Sequence, residues 1–258
     1  LASGRRVAVA KQSGLGDGLL VDGVDLSGDI GSISRINGGA PALDLTGIDV
    51  HAHERRGGVL SGGLEFQAWF NPDNAHPELG DLPRGNRIVT YLRGQAVGKP
   101  AASVVAKQLN YDGARNQDGS FPLTTVAEST DWGVDWGFSL TDWLVQHVAA
   151  DEEAGVEDAG QASTAFGLQA FLHVVSFTGT DVTIAIQESN DDGVGDAYDN
   201  VANGVFAEVT AEAQAQRLQT ARNAVIKQWL RVATTTTLGF TELTFWVGVT
   251  RNISVVNF

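Results

Sequence analysis

A chain of 258 residues, 43% hydrophobic and 19% charged, has room for one large or two ordinary folded domains and excludes wholesale disorder. Its net charge of −14, with 17 Lys and Arg scattered along the chain, argues against a protein that grips nucleic acid. The absence of Cys removes disulfide and thiolate chemistry, and no apolar run approaches the ~18–20 residues of a membrane helix.

Residues 1–20 are Gly-rich, mixed in polarity and without an apolar leader core, so the chain is expected to open with an arm that a neighbour orders, not with a signal peptide. From Leu19 the pattern tightens, and Asp22-Gly23 predicts a hairpin turn. A short strand is expected at 33–36. Residues 42–53 alternate, with Leu43, Leu45, Gly47, Asp49, His51 and His53 on one face, and predict a longer strand. The run Glu54, Arg55, Arg56, Gly57 and Gly58 is expected to turn the chain into a strand at 59–70, on which Leu64, Phe66, Ala68 and Phe70 share a face. Three prolines within 71–87 predict a loop, with one helical turn after Asn74 or His76. Strands follow at 88–98 and 101–114, an Asp-Gly turn within 115–121, and further strands at 122–130 and 132–141.

Composition then shifts. Residues 149–164 are acidic, lack bulky aromatics and read as a linker. Strands resume at 167–177, 181–189, 224–237 and 240–252, where Thr, Val, Ile, Phe and Trp are enriched. Residues 206–221 are rich in helix formers, yet a regular sandwich needs a strand near Gln214–Thr220, and strand is the reading adopted. The fold expected is all-β: an arm (1–20), a sandwich or barrel domain (21–141), and a linker plus second β-sandwich (142–258).

The sequence offers little reactive chemistry. His51-x-His53 places two imidazoles at metal-site spacing, but no third ligand is evident and Arg55 and Arg56 oppose a cation. The acidic loop 190–200 fails the EF-hand pattern, with Val194 at the fifth position and Val201 at the twelfth. Residues 13–18 lack a nucleotide-binding fingerprint, and 60–63 lack a nucleophile elbow. Neither a cofactor, a metal nor an enzymatic activity is expected. Among the tryptophans, Trp229 falls on the more polar face of its strand and is the candidate for an exposed ring.

Several short motifs occur in a telling order: "GVDLSGDIGS" at Gly23–Ser32, "LDLT" at Leu43–Thr46, a strand from Leu60 to Asn71, "GKPA" at Gly98–Ala101, and Trp136-Gly137 in a closing strand. In that order they resemble the core of phage tail tube proteins, the major tail proteins of long-tailed phages, over residues 20–141. The second half more loosely resembles the β-sandwich appended to larger tail proteins. The resemblance implies a tail-tube-type domain whose copies form hexameric rings, stacked into a tube in the virion tail, assembled in the host cytoplasm. Partners would be further copies of the chain, other tail proteins, and DNA passing through without specific binding. It also implies that a protruding hairpin and the arm make the contacts between rings, for which Glu54, Arg55, Arg56, Gly57 and Gly58 are the candidates. The alternative is a soluble or virion-surface binding module recognising glycan or protein.

Overall fold

The computed structural model describes residues 13–82, 85–148, 153–157 and 162–254. Among these the chain is all-β apart from one short α-helix and one 3-10 turn. Strands β1 (Gly18–Val21) and β2 (Val24–Asp25) form the expected hairpin, with Asp22 and Gly23 at φ of 46° and 90°. That left-handed pair is what a two-residue hairpin turn requires and Asp-Gly supplies. Gly18–Leu20, expected to belong to the arm, are buried in β1, because pairing with a later strand places Leu19 and Leu20 in two different cores. Residues 1–12 of the expected arm lie outside the described residues.

Strand β3 (Ile30–Gly39) leads into β4 (Ala42–Asp44), and the chain returns through β5 (Arg55–Gly57) into β6 (Ser61–Trp69). The pairing runs from Ile30 opposite Ala68 to Gly39 opposite Ser61, and then from Ala42 opposite Gly57 to Asp44 opposite Arg55. Two expectations are corrected here. The strand predicted over 42–53 stops at Asp44, whose carboxylate accepts the Thr46 N–H and hydroxyl and draws the backbone into an Asx turn. The turn predicted at 54–58 is instead a strand over Arg55–Gly57, and the reversal lies between Thr46 and His53.

Helix α1 (Ala75–Leu79) is the expected helical turn, and it buries Ala75 and Leu79 over one end of the N-terminal core. Strands β7 (Arg87–Leu92), β8 (Pro100–Gln108) and β9 (Asp112–Gly113) follow. Strand β10 (Pro122–Ser139) is continuous where two strands were expected. Its pairing with β8 slips between Ser129 and Val134, with Gly133 at φ 99°; the irregularity bends the strand without ending it. The first part of β10 pairs with β6, and its last residues reach the other half of the molecule.

That half contains β11 (Val145–His147), β12 (Glu153–Glu157), β13 (Leu168–Gly179), β14 (Thr183–Ser189), β15 (Asp199–Val205), β16 (Gln214–Gln219), β17 (Trp229–Thr235) and β18 (Phe240–Arg251). The segment predicted as linker is corrected in part: Glu153–Glu157 pair with β17, using backbone groups that acidic composition does not disable. The strand expected near Gln214–Thr220 is present, because the edge of β13 offers its backbone to Gln214–Gln219 in spite of their helix propensity. Strands β12, β17, β14 and β15 form one sheet, and a large core from Phe138 to Val249 separates it from β13 and β18.

The larger sheet runs β16-β13-β18-β10-β8-β7-β1-β2 and so crosses from one half to the other. At the crossing Phe138 pairs with Val249 and Ser139 with Gly248. Gly137 is required there, since a Cβ would lie 2.0 Å from the Val249 carbonyl oxygen. A third core closes the junction: Leu20, Ile88, Leu92 and Ala101 from the N-terminal half meet Phe171 and Trp246 from the C-terminal half.

Candidate functional site

Among the described residues no constellation of reactive groups dominates, so the informative surfaces are those where apolar side chains stay uncovered. The first is the β4–β5 ribbon with its connecting loop. Leu43, Leu45, Ile48, Val50, Val59 and Leu60 are all exposed, Ile48 completely and Val59 at 87%. Its backbone is nonetheless well tied. The Leu45 N–H donates to the Glu54 carbonyl (2.8 Å), the Gly58 N–H to the Pro41 carbonyl (2.7 Å), and the Glu54 N–H to the Thr46 hydroxyl (2.9 Å). The Thr46 hydroxyl and N–H hold the Asp44 carboxyl below its usual range, and His53 Nδ1 lies 2.8 Å from its second oxygen. The ribbon is therefore an ordered projection, and covering a large aliphatic side chain fully would stabilise an assembly by roughly 1.5–3 kcal/mol.

The five residues singled out from the sequence all lie on this ribbon, though not in its turn. Glu54 immediately precedes β5, Arg55, Arg56 and Gly57 compose it, and Gly58 follows, half-buried against Pro41 and Leu43. Arg56 and Glu54 approach within 3.7 Å at the surface. Sequence reasoning picked the charged turn and passed over the apolar residues beside it. Their signal was available: the alternation over 42–53 predicts a strand, and a two-stranded ribbon has no further sheet to cover either face.

A second uncovered surface lies beyond the far end of β6. Phe70 meets Phe121 edge to face (centroids 5.7 Å apart) and lies 5.0 Å from His76. His76 Nδ1 is 3.0 Å from the Tyr111 hydroxyl, whose pKa is raised by burial. Phe70, Arg115, Gly119 and Phe121 line an open cleft of about 240 Å³. Phe70 was expected on the core face of its strand with Leu64, Phe66 and Ala68. Those three are buried, but β6 ends at Trp69 and leaves Phe70 outside, 44% exposed.

Other sequence candidates resolve locally. His51 and His53 are both exposed in the β4–β5 loop, and among the described residues no group of three or more His, Asp or Glu side chains is placed to hold a metal ion. In the acidic loop, Asp191 accepts the N–H groups of Gly195 (2.8 Å) and Asp196 (3.0 Å), while Asp196 takes Lys227 Nζ (2.7 Å) and Asn190. These bonds lower both carboxyls below their usual range and turn their oxygens onto the protein itself. Trp229 is half-buried, and Trp136 is the more exposed ring at 51%. A cavity of about 280 Å³ beside β1 contains Asp17, Tyr91 and Arg93, which satisfy one another: Arg93 Nη1 donates to Asp17 at 2.9 Å, and the Tyr91 hydroxyl also bonds that carboxylate.

No protein-family model matches the chain, and no curated protein sequence matches it. No helix among the described residues is long and apolar enough to cross a membrane. The two uncovered surfaces and the order of the sequence motifs are the features of this chain that bear on function.

Proposed function

We propose that this chain is a non-enzymatic structural subunit that assembles with copies of itself, in the manner of a phage tail tube protein: hexameric rings, stacked into a tube that DNA traverses within a virion tail. The observation that carries the reading is the β4–β5 ribbon, an ordered projection bearing six exposed large aliphatic side chains that nothing among the described residues covers. Such a surface invites a partner, because contiguous exposed apolar area marks interaction sites. A net charge of −14 suits a conduit that repels phosphate. The ordered motifs over residues 20–141 add the family resemblance.

Electron microscopy and sedimentation of the purified chain test the proposal. Stacked rings with a central channel are expected. A uniform monomer at high concentration would overturn it and favour the second reading, a binding module whose exposed aromatics at Phe70 and Phe121 stack on a glycan or a foreign protein.

A further inference from the structure

We propose that the tip of the β4–β5 ribbon, Ile48 with Asp49, docks head to tail into the Phe70–Arg115–Phe121 cleft of a second copy of this chain. The inference rests on the self-assembly reading and names the surface that receives the projection. Its first support is placement. The ribbon continues from the Gly39 and Ser61 ends of β3 and β6, whereas Phe70 follows the opposite end of β6. At ~3.3 Å per residue the nine residues of β6 alone separate the two by roughly 30 Å. One chain cannot bring its own tip to its own cleft, and a second copy displaced along the strand direction can.

The second support is chemical fit. Ile48 is a fully exposed aliphatic side chain, and the cleft presents the rings of Phe70 and Phe121 around an open volume of about 240 Å³. Asp49 adjoins Ile48 and Arg115 lines the cleft, so an apolar contact is flanked by one charge of each sign. Neither charge has an ion-pair partner among the described residues. Opposite charges at the rim of an apolar contact fix its register more than its strength. The contact is heterologous: each copy that inserts a tip still offers a cleft, so the arrangement propagates instead of closing as a dimer.

Because the chain has no Cys, paired cysteines report the contact directly. His51→Cys sits beside the tip and Gln117→Cys beside the cleft, and both leave Ile48, Asp49, Val50, Arg115, Phe70 and Phe121 in place. The full-length double variant, treated with a short bis-maleimide, is expected to give a ladder of covalent dimers, trimers and longer products on a denaturing gel. Mixing the two single variants is expected to give dimers only. Asp49→Arg or Arg115→Asp is expected to reduce assembly about tenfold, and the two together to restore it, with unchanged unfolding curves showing that each variant folds. Large particles without a ladder would overturn this docking and leave self-assembly standing. Absence of both particles and ladder would overturn the two together. Dimers of comparable yield from H51C alone would indicate tip-to-tip contact and likewise overturn the docking.

Discussion

The junction between the two halves and the β4–β5 ribbon use the same kind of sequence, alternating strands with interspersed polar groups, to opposite ends. At the junction the six side chains of the shared core are covered. His173, buried completely, receives the Gly23 N–H at Nδ1 (3.2 Å), so its proton sits on Nε2 and is donated to the Thr90 hydroxyl (2.9 Å), which bonds Ser103 (2.9 Å). Trp246 Nε1 donates to Ser139 across the sheet. On the ribbon the backbone is hydrogen-bonded as well, yet no neighbours among the described residues bury the aliphatic side chains fully. Hydrogen bonding sets the shape of both regions, and only one has finished burying its apolar surface. The unfinished one is where the proposed second copy would bind.

The comparison predicts that stability resides at the junction and association on the ribbon. The largest expected effect on folding is from Trp246→Ala, which removes a fully buried ring from the core shared by both halves. A loss of about 3–5 kcal/mol in urea unfolding is expected. A loss under 1 kcal/mol would mean that the halves do not depend on this contact.

Acid should act at the same place. Burial lowers the pKa of His173 from 6.5 to about 3, so the folded chain keeps the imidazole neutral while the unfolded chain takes up a proton below pH 6.5. More protons bind to the unfolded state, and stability falls as pH falls between 6.5 and about 3, by roughly 1.4 kcal/mol per pH unit. Between pH 7 and pH 5 this amounts to ~2 kcal/mol. Asp22, whose carboxyl is raised by burial against the opposing effects of Ile88 N–H and Arg87, works in the other direction. The measurement is therefore the difference between wild type and His173→Gln across pH 5–7. The wild type is expected to lose more stability on acidification, and parallel pH curves would place no titration at His173.

Much of the fold was legible because local chemistry and tertiary pairing agree. Asp22-Gly23 can adopt the two positive φ angles of its turn, and the segments at 181–189 and 240–252, rich in β-branched or aromatic residues, form β14 and β18 as expected. The misreadings share a cause. Alternation at 42–53 reports a preference for extended backbone but not whether a sheet is present to continue the strand, and Asp44 capturing Thr46 is a local event that period-two counting overlooks. Glu153–Glu157 were read as linker because composition describes side chains, while their pairing with β17 uses backbone. The candidate site was half legible: Arg55 and Arg56 were visible as a charged pair, but the cleft of Phe70, Arg115 and Phe121 joins residues far apart in sequence.

The ribbon is expected to carry the smaller effects on folding and the decisive ones on the proposed association. Replacing Ile48 and Val59 together by Ser should change the unfolding free energy by no more than about 0.5 kcal/mol, since both are already at or near full exposure, while abolishing particles in sedimentation. A destabilisation of several kcal/mol would show that these side chains are covered within the single chain. The mildest perturbation is charge reversal at Arg55 and Arg56. Both are exposed on β5, and the Arg56–Glu54 approach of 3.7 Å is too open to support the fold measurably. Their guanidinium groups nonetheless sit on the projection, where a neighbouring acidic copy would meet them, so Arg55→Glu with Arg56→Glu should slow assembly and leave the unfolding curve unchanged. Particles of normal length from that variant would remove both arginines from the contact and leave the aliphatic face of the ribbon as what the partner binds.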